Sequence, residues 1–236
     1  AIGAMAASLL WGLGGALGFR GDRTEVERAL PHQMSDVWCE LHYGPAMPPE
    51  DAARILSDCG FRHRAAAAFF DVPATPPIHL YVYDDSDQKA RLMGARGVAV
   101  TKPWLQEIHL DGLVPGDLLL SHEVAHVVAG RLASNFLAMP LHAGLIVDVG
   151  RLEGLAVAAA FAADGPSPHE WAAAMRRAGI DTDVSALMGG MGFWSQQPRR
   201  AYTVAGSFVR WLADEYGPQV LQEVARGGDL AQATMT

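Results

Sequence analysis

The sequence predicts an α+β fold: a small mixed β-sheet, a helix carrying His122-Glu-Val-Ala-His126, a helical C-terminal half, and a hydrophobic helix at the N-terminus. Three observations predict it. Alternating or β-rich segments, separated by helical stretches, fill the chain as far as Pro115-Gly116. From Leu118 onward the patterned segments have helical periodicity. Residues 1–19 carry no charge at all.

The elements follow in order. As a helix, nineteen residues span roughly 28 Å, close to a bilayer core of about 30 Å. Gly14 and Gly18 sit in GxxxG spacing, which suits close helix packing in lipid. The alternatives are a signal-peptide core or a glycine-rich buried helix. A signal core is shorter, about 7–15 residues, and no basic segment precedes this one. A transmembrane helix is therefore expected over residues 1–20. Residues 21–31 are charged and read as helix or extended linker. Asp36–Tyr43 alternates and reads as a strand ended by Gly44-Pro45. Pro48-Pro49-Glu50-Asp51 opens a helix towards Phe69-Phe70, with a weak point at Gly60. Pro73 to Pro77 break the pattern.

Ile78–Tyr83 is rich in β-formers and reads as a second strand. Ser86–Leu92 reads as a short helix, and Gly97–Thr101 and Glu107–Leu110 as two short strands. Asp117 is a candidate N-cap for a helix over Leu118–Leu132. An irregular stretch follows over 133–148, broken at Pro140. Helices are expected at Arg151–Ala163, His169–Ala178, Tyr202–Tyr216 and Pro218–Val224, with a glycine-rich loop around 189–193. That loop lacks the strand-then-helix setting of a phosphate loop. No internal repeat is visible. The expected organisation is a membrane helix (1–20), an N-terminal α/β segment (21–75), and a domain over 76–236. That domain divides into a sheet with its active-site helix (76–165) and a helical part (166–236).

Composition narrows the function. Hydrophobic residues make up 50% and charged residues 19%, which excludes a disordered chain. The formal charge is −8 and Lys89 and Lys102 are the only lysines, so no basic face exists for nucleic acid. Two cysteines exclude a disulfide-dense scaffold and a four-thiolate zinc module. The start at Ala1 and the stop soon after a helical pattern read as a piece of a longer protein, with further domains or chains beyond it.

His122-Glu123-Val124-Ala125-His126 is HExxH. Histidines four apart lie on one helix face, one turn apart, so both imidazoles can reach one metal ion. The metal lowers the pKa of a bound water, and Glu123 is placed to remove its proton. Zinc suits such nitrogen and oxygen ligands. Chance produces the motif in roughly 1–2% of chains of this composition. Its place on an apolar helix after a strand region therefore carries the reading against a pair of core histidines. A third ligand six residues after His126 is excluded, because position 132 is leucine. His142, Asp148 and Glu153 are candidates. Glu153 is the best, because it opens a predicted helix that would aim its carboxylate at the same ion. Gly154 beside it allows close backbone approach.

With HEVAH at 122–126, LEGLA at 152–156 and AYTVAGSFVRWLADEYG at 201–217, the sequence resembles the gluzincin metallopeptidases, the thermolysin-like clan, and especially their peptidase-MA-like branch. The resemblance covers roughly residues 78–224. It implies zinc held by His122, His126 and Glu153, Glu123 as general base, and Tyr202 as oxyanion stabiliser. It implies a peptide or protein substrate, with the strand at 97–101 or 107–110 as the edge that an extended substrate joins. Many members carry an acidic residue four positions after the third ligand, which orients a zinc histidine; here that position is Val157. Asp148 is a candidate for that role. No GxMxN segment precedes HExxH, which favours endopeptidase over aminopeptidase chemistry. Members of this branch commonly face outside the cytoplasm, so the domain is expected on the extracytoplasmic side of the membrane. There Cys39 and Cys59 would form a disulfide, the alternative being two buried free thiols. Trp38, Trp104, Trp171, Trp194 and Trp211 read as packing anchors. Arg199-Arg200 reads as a solvated charge pair, the alternative being a hold on a substrate carboxylate. The expected function is zinc-dependent peptide-bond hydrolysis by a membrane-tethered endopeptidase. The alternative is a non-catalytic zinc- or peptide-binding ectodomain of a larger membrane protein; a metal-free structural ectodomain is a weaker option.

Overall fold

A computed structural model of the protein describes residues 22–160, 165–188 and 192–234. The expected membrane helix at 1–20 lies outside them, as does most of the glycine-rich loop. No helix among the described residues is long and apolar enough to cross a membrane. The fold is mixed α+β, as expected, and falls into two compact units. The first takes the chain up to Gly60, then Pro76–Lys102 and Gln106–Asp117. The second takes Phe61–Thr75, Pro103–Leu105 and the chain from Leu118 on.

The first unit is a five-stranded sheet in the order β1-β2-β3-β5-β4: β1 (His32–Ser35), β2 (Cys39–Tyr43), β3 (Ile78–Tyr83), β4 (Val100–Lys102) and β5 (Glu107–Asp111). β2, β3 and β5 run parallel, and β1 and β4 close the edges antiparallel. Of the two strands expected to receive a substrate, β5 is paired on both sides and only β4 keeps an open edge. The alternation gives the sheet two different faces. Cys39, Leu41, Ile78, Leu80, Ile108 and Leu110 form an apolar, buried one. The other carries a ladder of Glu40, His79 and Glu107 beside a second of His42, Tyr81 and His109.

Helix α1 (Arg23–Ala29) engages the polar face: Arg23 donates to His79 Nδ1 at 3.2 Å, and the Tyr81 hydroxyl donates to Glu27 at 3.3 Å. Val26 and Leu30 pack with Tyr81, Tyr83 and Met93. The long helix α2 (Pro49–Phe70) runs unbroken through Gly60, and the boundary between the units falls inside it. In α3 (Ser86–Met93) the fully buried Lys89 donates to Asp111 at 2.7 Å, tying this helix to β5.

One expected strand is corrected. Asp36–Tyr43 is not continuous: the Asp36 carboxylate accepts from the Trp38 and Cys39 amides at 2.7 Å each and turns the chain back. A short polar side chain that binds neighbouring amides competes with the ladder in this way. The strand begins only at Cys39, and β1 precedes the turn.

Cys39 and Cys59 form a disulfide that fastens β2 to α2 and closes a sequence separation of 20 residues. Restricting such a loop in the unfolded chain is worth about 3 kcal/mol. Replacing both cysteines by serine is expected to lower the unfolding free energy by about that amount. Denaturant titration under oxidising conditions would measure it, and an unchanged midpoint would contradict it.

Burial holds His109 down to a pKa of about 4, although Glu107 lies 3.2 Å away and favours the charged ring. An ordinary histidine titrates near 6.5, so between these values the unfolded chain binds the extra proton. The stability that the neutral ring contributes is therefore present above about pH 6.5 and lost as pH falls towards 4. The expected loss is on the order of 3 kcal/mol. Thermal denaturation across this range should show it, and His109→Gln should flatten that limb of the curve.

The second unit is helical, with one small hairpin of β6 (Leu141–His142) and β7 (Ile146–Val147) in the stretch expected to be irregular. Besides the end of α2, its α-helices among the described residues are α4 (Leu118–Ala129), α5 (Val149–Ala159), α6 (Pro168–Arg177), α7 (Val184–Leu187), α8 (Pro198–Tyr216), α9 (Val220–Arg226) and α10 (Leu230–Ala233). α5 packs against both α4 and α8.

Candidate metal centre

The centre is built by three helices of the second unit. α4 is apolar almost throughout, and Leu120 and Glu123 to Ala129 are buried. His122 and His126 leave it from successive turns, with ring planes at 89° and centroids 4.6 Å apart. α5 starts at Asp148, whose carboxylate accepts from the Arg151 amide as N-cap. Glu153 follows just over one turn later.

Three donor atoms converge. His122 Nε2 lies 3.0 Å from Glu153 Oε2, and His126 Nε2 lies 3.4 Å from the same oxygen. The two Nε2 atoms are 3.1 Å apart. Donors around one zinc ion, with bonds of about 2.0–2.1 Å at tetrahedral angles, stand about 3.3 Å from each other. The triangle therefore has the dimensions of three corners of such a site. Two imidazole nitrogens facing each other across 3.1 Å repel through their lone pairs unless a proton or cation lies between them. A set of two nitrogens and one carboxylate oxygen suits zinc. These residues fit the metal that the resemblance implies.

The charges are mutually adapted. Burial opposes ionisation of Glu153, but the His126 charge and hydrogen bonds from both imidazoles outweigh it and hold the carboxyl well below its usual range. Burial likewise opposes charge on His126, and Glu153 overrides it, so its pKa is raised.

Glu123 is buried and is not one of the three converging donors. It is nonetheless near enough for its charge to act on both His126 and Tyr202. Tyr202 comes from α8. Its ring lies 6.0 Å from that of His122, centroid to centroid, and it is close enough to Glu153 for that carboxylate to act on its hydroxyl. Burial first, and then the Glu153 charge, push its pKa up to about 12.

Close helix approach sets this geometry. A Cβ at Gly154 would stand 2.8 Å from a Val209 methyl, and one at Gly206 would overlap Val157. Each helix presents a glycine to a valine of the other, so α5 and α8 approach more closely than side chains would otherwise allow.

His122, Glu123, His126, Glu153 and Tyr202 are thus brought together. The other ligand candidates are not. His142 is exposed on the β6–β7 hairpin. Asp148 is buried, caps α5 and pairs with Arg151 at 3.2 Å, so it is neither an exposed turn residue nor a partner of the histidines. His126 Nδ1 is buried with no hydrogen-bond partner among the described residues. Val157 has no polar group to offer it.

Residues the sequence reading did not place here are Leu118, Val157 and Thr203, which line cavities beside the centre. Trp171 lines the same cavities and is 52% exposed, and Trp194 is 68% exposed, so neither is a packing anchor. A signal existed for Trp171: α6 has tryptophan as its largest apolar residue among alanines, and buries none of its residues. Comparison of the chain with family models, with curated proteins and with solved structures finds no match to any of them.

Proposed function

We propose that the chain is a zinc-dependent endopeptidase of gluzincin type, tethered to a membrane by residues 1–20, with its domain on the extracytoplasmic side. The observation that carries the reading is the convergence of His122, His126 and Glu153 within 3.4 Å, with the Glu123 carboxylate left out of the set. The Cys39–Cys59 disulfide supports an oxidising compartment.

In this reading His122, His126 and Glu153 hold zinc. Zinc bound there supplies a Lewis acid that makes water more acidic and polarises a carbonyl. Glu123 takes the proton of the attacking water and hands it to the leaving amine. It is buried, and its charge reaches His126, which keeps it close to the centre. Tyr202 stays protonated at neutral pH and can donate to the oxygen on which negative charge develops. α5 and α8 set Glu153 and Tyr202 at a fixed separation, so the donor is positioned before substrate arrives.

The test is metal analysis of the purified chain together with hydrolysis of a mixed library of internally quenched peptides. One zinc per chain is expected, with cleavage that a chelator abolishes and added zinc restores. Zinc with no cleavage of any peptide would leave the non-catalytic ectodomain as the better reading. Absence of zinc affinity would remove the peptidase and leave the ectodomain only in its peptide-binding form.

A further inference from the structure

Two cavities adjoin the metal centre. One, of about 260 Å³, is lined by His122 with Leu118, Val157 and Trp171. The other, of about 550 Å³, is lined by Tyr202 with Met175, Arg199 and again Val157 and Trp171. Thr203 belongs to both. The two thus share a wall of Val157, Trp171 and Thr203 and form one trough alongside the centre. The larger is within the range of about 300–1,000 Å³ found for small-molecule sites, far more than an alanine methyl can fill. Its walls are mainly apolar. Val157 occupies the position where the resemblance calls for an acidic residue, and it forms part of this wall instead.

One charged side chain lines the larger cavity. Arg199 is exposed, and among the described residues it makes no ion pair, whereas Arg151 and Arg210 of the same unit are paired with Asp148 and Asp214. No acidic side chain among the described residues lines either cavity. An isolated guanidinium at the end of an apolar trough, in a chain of net charge −8, favours an anionic group on the ligand. Arg199 precedes Tyr202 by three residues on α8, a rise of about 4.5 Å along the helix. An extended peptide advances about 3.3 Å per residue. The anion that Arg199 reads therefore lies within about two residues of the carbonyl held at Tyr202.

We propose, on the peptidase reading above, that the site selects peptides in which a bulky apolar side chain next to the cleaved bond is accompanied by a carboxylate within about two residues, Trp171 and Val157 seating the first and Arg199 the second. The carboxylate is that of an acidic side chain or of the peptide's own C-terminus.

Binding tests this without turnover. Fluorescein-labelled heptapeptides are titrated into the zinc-loaded full chain carrying Glu123→Gln, and anisotropy is read. One series exchanges Phe for Ala, a second exchanges Glu for Gln two residues on, and a third exchanges the free C-terminus for an amide. Phe is expected to bind about tenfold or more tightly than Ala. Trp171→Ala should erase most of that difference. One of the two carboxylate exchanges should cost about fivefold, and which of them does so names the source. Arg199→Gln should bring the acid peptide down to the affinity of its neutral counterpart. Both variants alter exposed side chains, and their zinc content checks that the centre is intact. Equal affinities for Phe and Ala peptides, indifference to both carboxylate exchanges, or no binding at all would overturn the proposal. Hydrolysis by the unsubstituted chain is scored separately. Peptides bound with these preferences and never cut would sink the peptidase reading alone, while peptides cut without the preferences would sink only this one.

Discussion

Glu123→Gln is expected to keep a full complement of zinc and to lose hydrolysis by about 10²–10⁴-fold. The amide is nearly isosteric with the carboxylate, and Glu123 is not among the three converging donors, so the metal should not notice the change. The amide cannot accept the water's proton, so the chemistry should. Metal content and kcat/KM measured on one preparation check both halves. Zinc lost together with activity would mean that Glu123 has a structural part, and activity surviving the change would remove it as base.

The second large effect is on the metal itself. Glu153→Gln should drop zinc affinity by well over 100-fold, beyond the 10–100-fold typical of losing a group that merely orients a ligand. The carboxylate lies within 3.4 Å of both imidazoles, and without it two neutral nitrogens must hold a divalent ion. His126→Ala should act at least as strongly, because the ring is buried and among the described residues no fourth donor joins the three. Competition against a chromogenic chelator measures both. Affinity within tenfold of the unsubstituted chain would show that the three atoms meet for another reason. Both variants should remain folded, since α4 and α5 are also held by apolar burial along their lengths.

Parts of this centre were legible because they are encoded locally. His122 and His126 share a helix face by spacing alone, and Glu153 stands out because it opens the helix expected from Arg151. The Tyr202 position followed from a resemblance, and no periodicity would have singled it out among the apolar residues of α8. What escaped was decided at long range. β1 is four residues, three of them exposed, with no alternation to read, and it exists because the Asp36 turn returns it to β2. The β6–β7 hairpin turns through Ala143 and Gly144, both at positive φ, where Ala-Gly is a weaker signal than the usual Asn-Gly. Gly60 read as a weak point in α2. A single glycine costs only about 1 kcal/mol in a helix, and Cys59 beside it is anchored to β2. Trp171 was read as an anchor because an indole is usually buried. Its exposure follows from a helix that buries none of its residues and lines the cavity beside the centre.

The crossed glycines of α5 and α8 also constrain the order in which this protein can change. Gly206 has no space for a methyl group while Val157 faces it, and Gly154 is similarly obstructed by Val209. A side chain at 206 becomes acceptable only after 157 has been trimmed. Arriving first, it would displace Glu153 relative to Tyr202 and register as a lost metal or a lost donor, although it touches neither. Gly206→Ala should therefore be damaging alone and milder on a Val157→Gly background, because the Val157 Cβ would itself stand 2.6 Å from the new methyl group. Trimming Val157 also deepens the wall of the trough, so the change that makes room at the joint is the same one that alters which side chains the site admits.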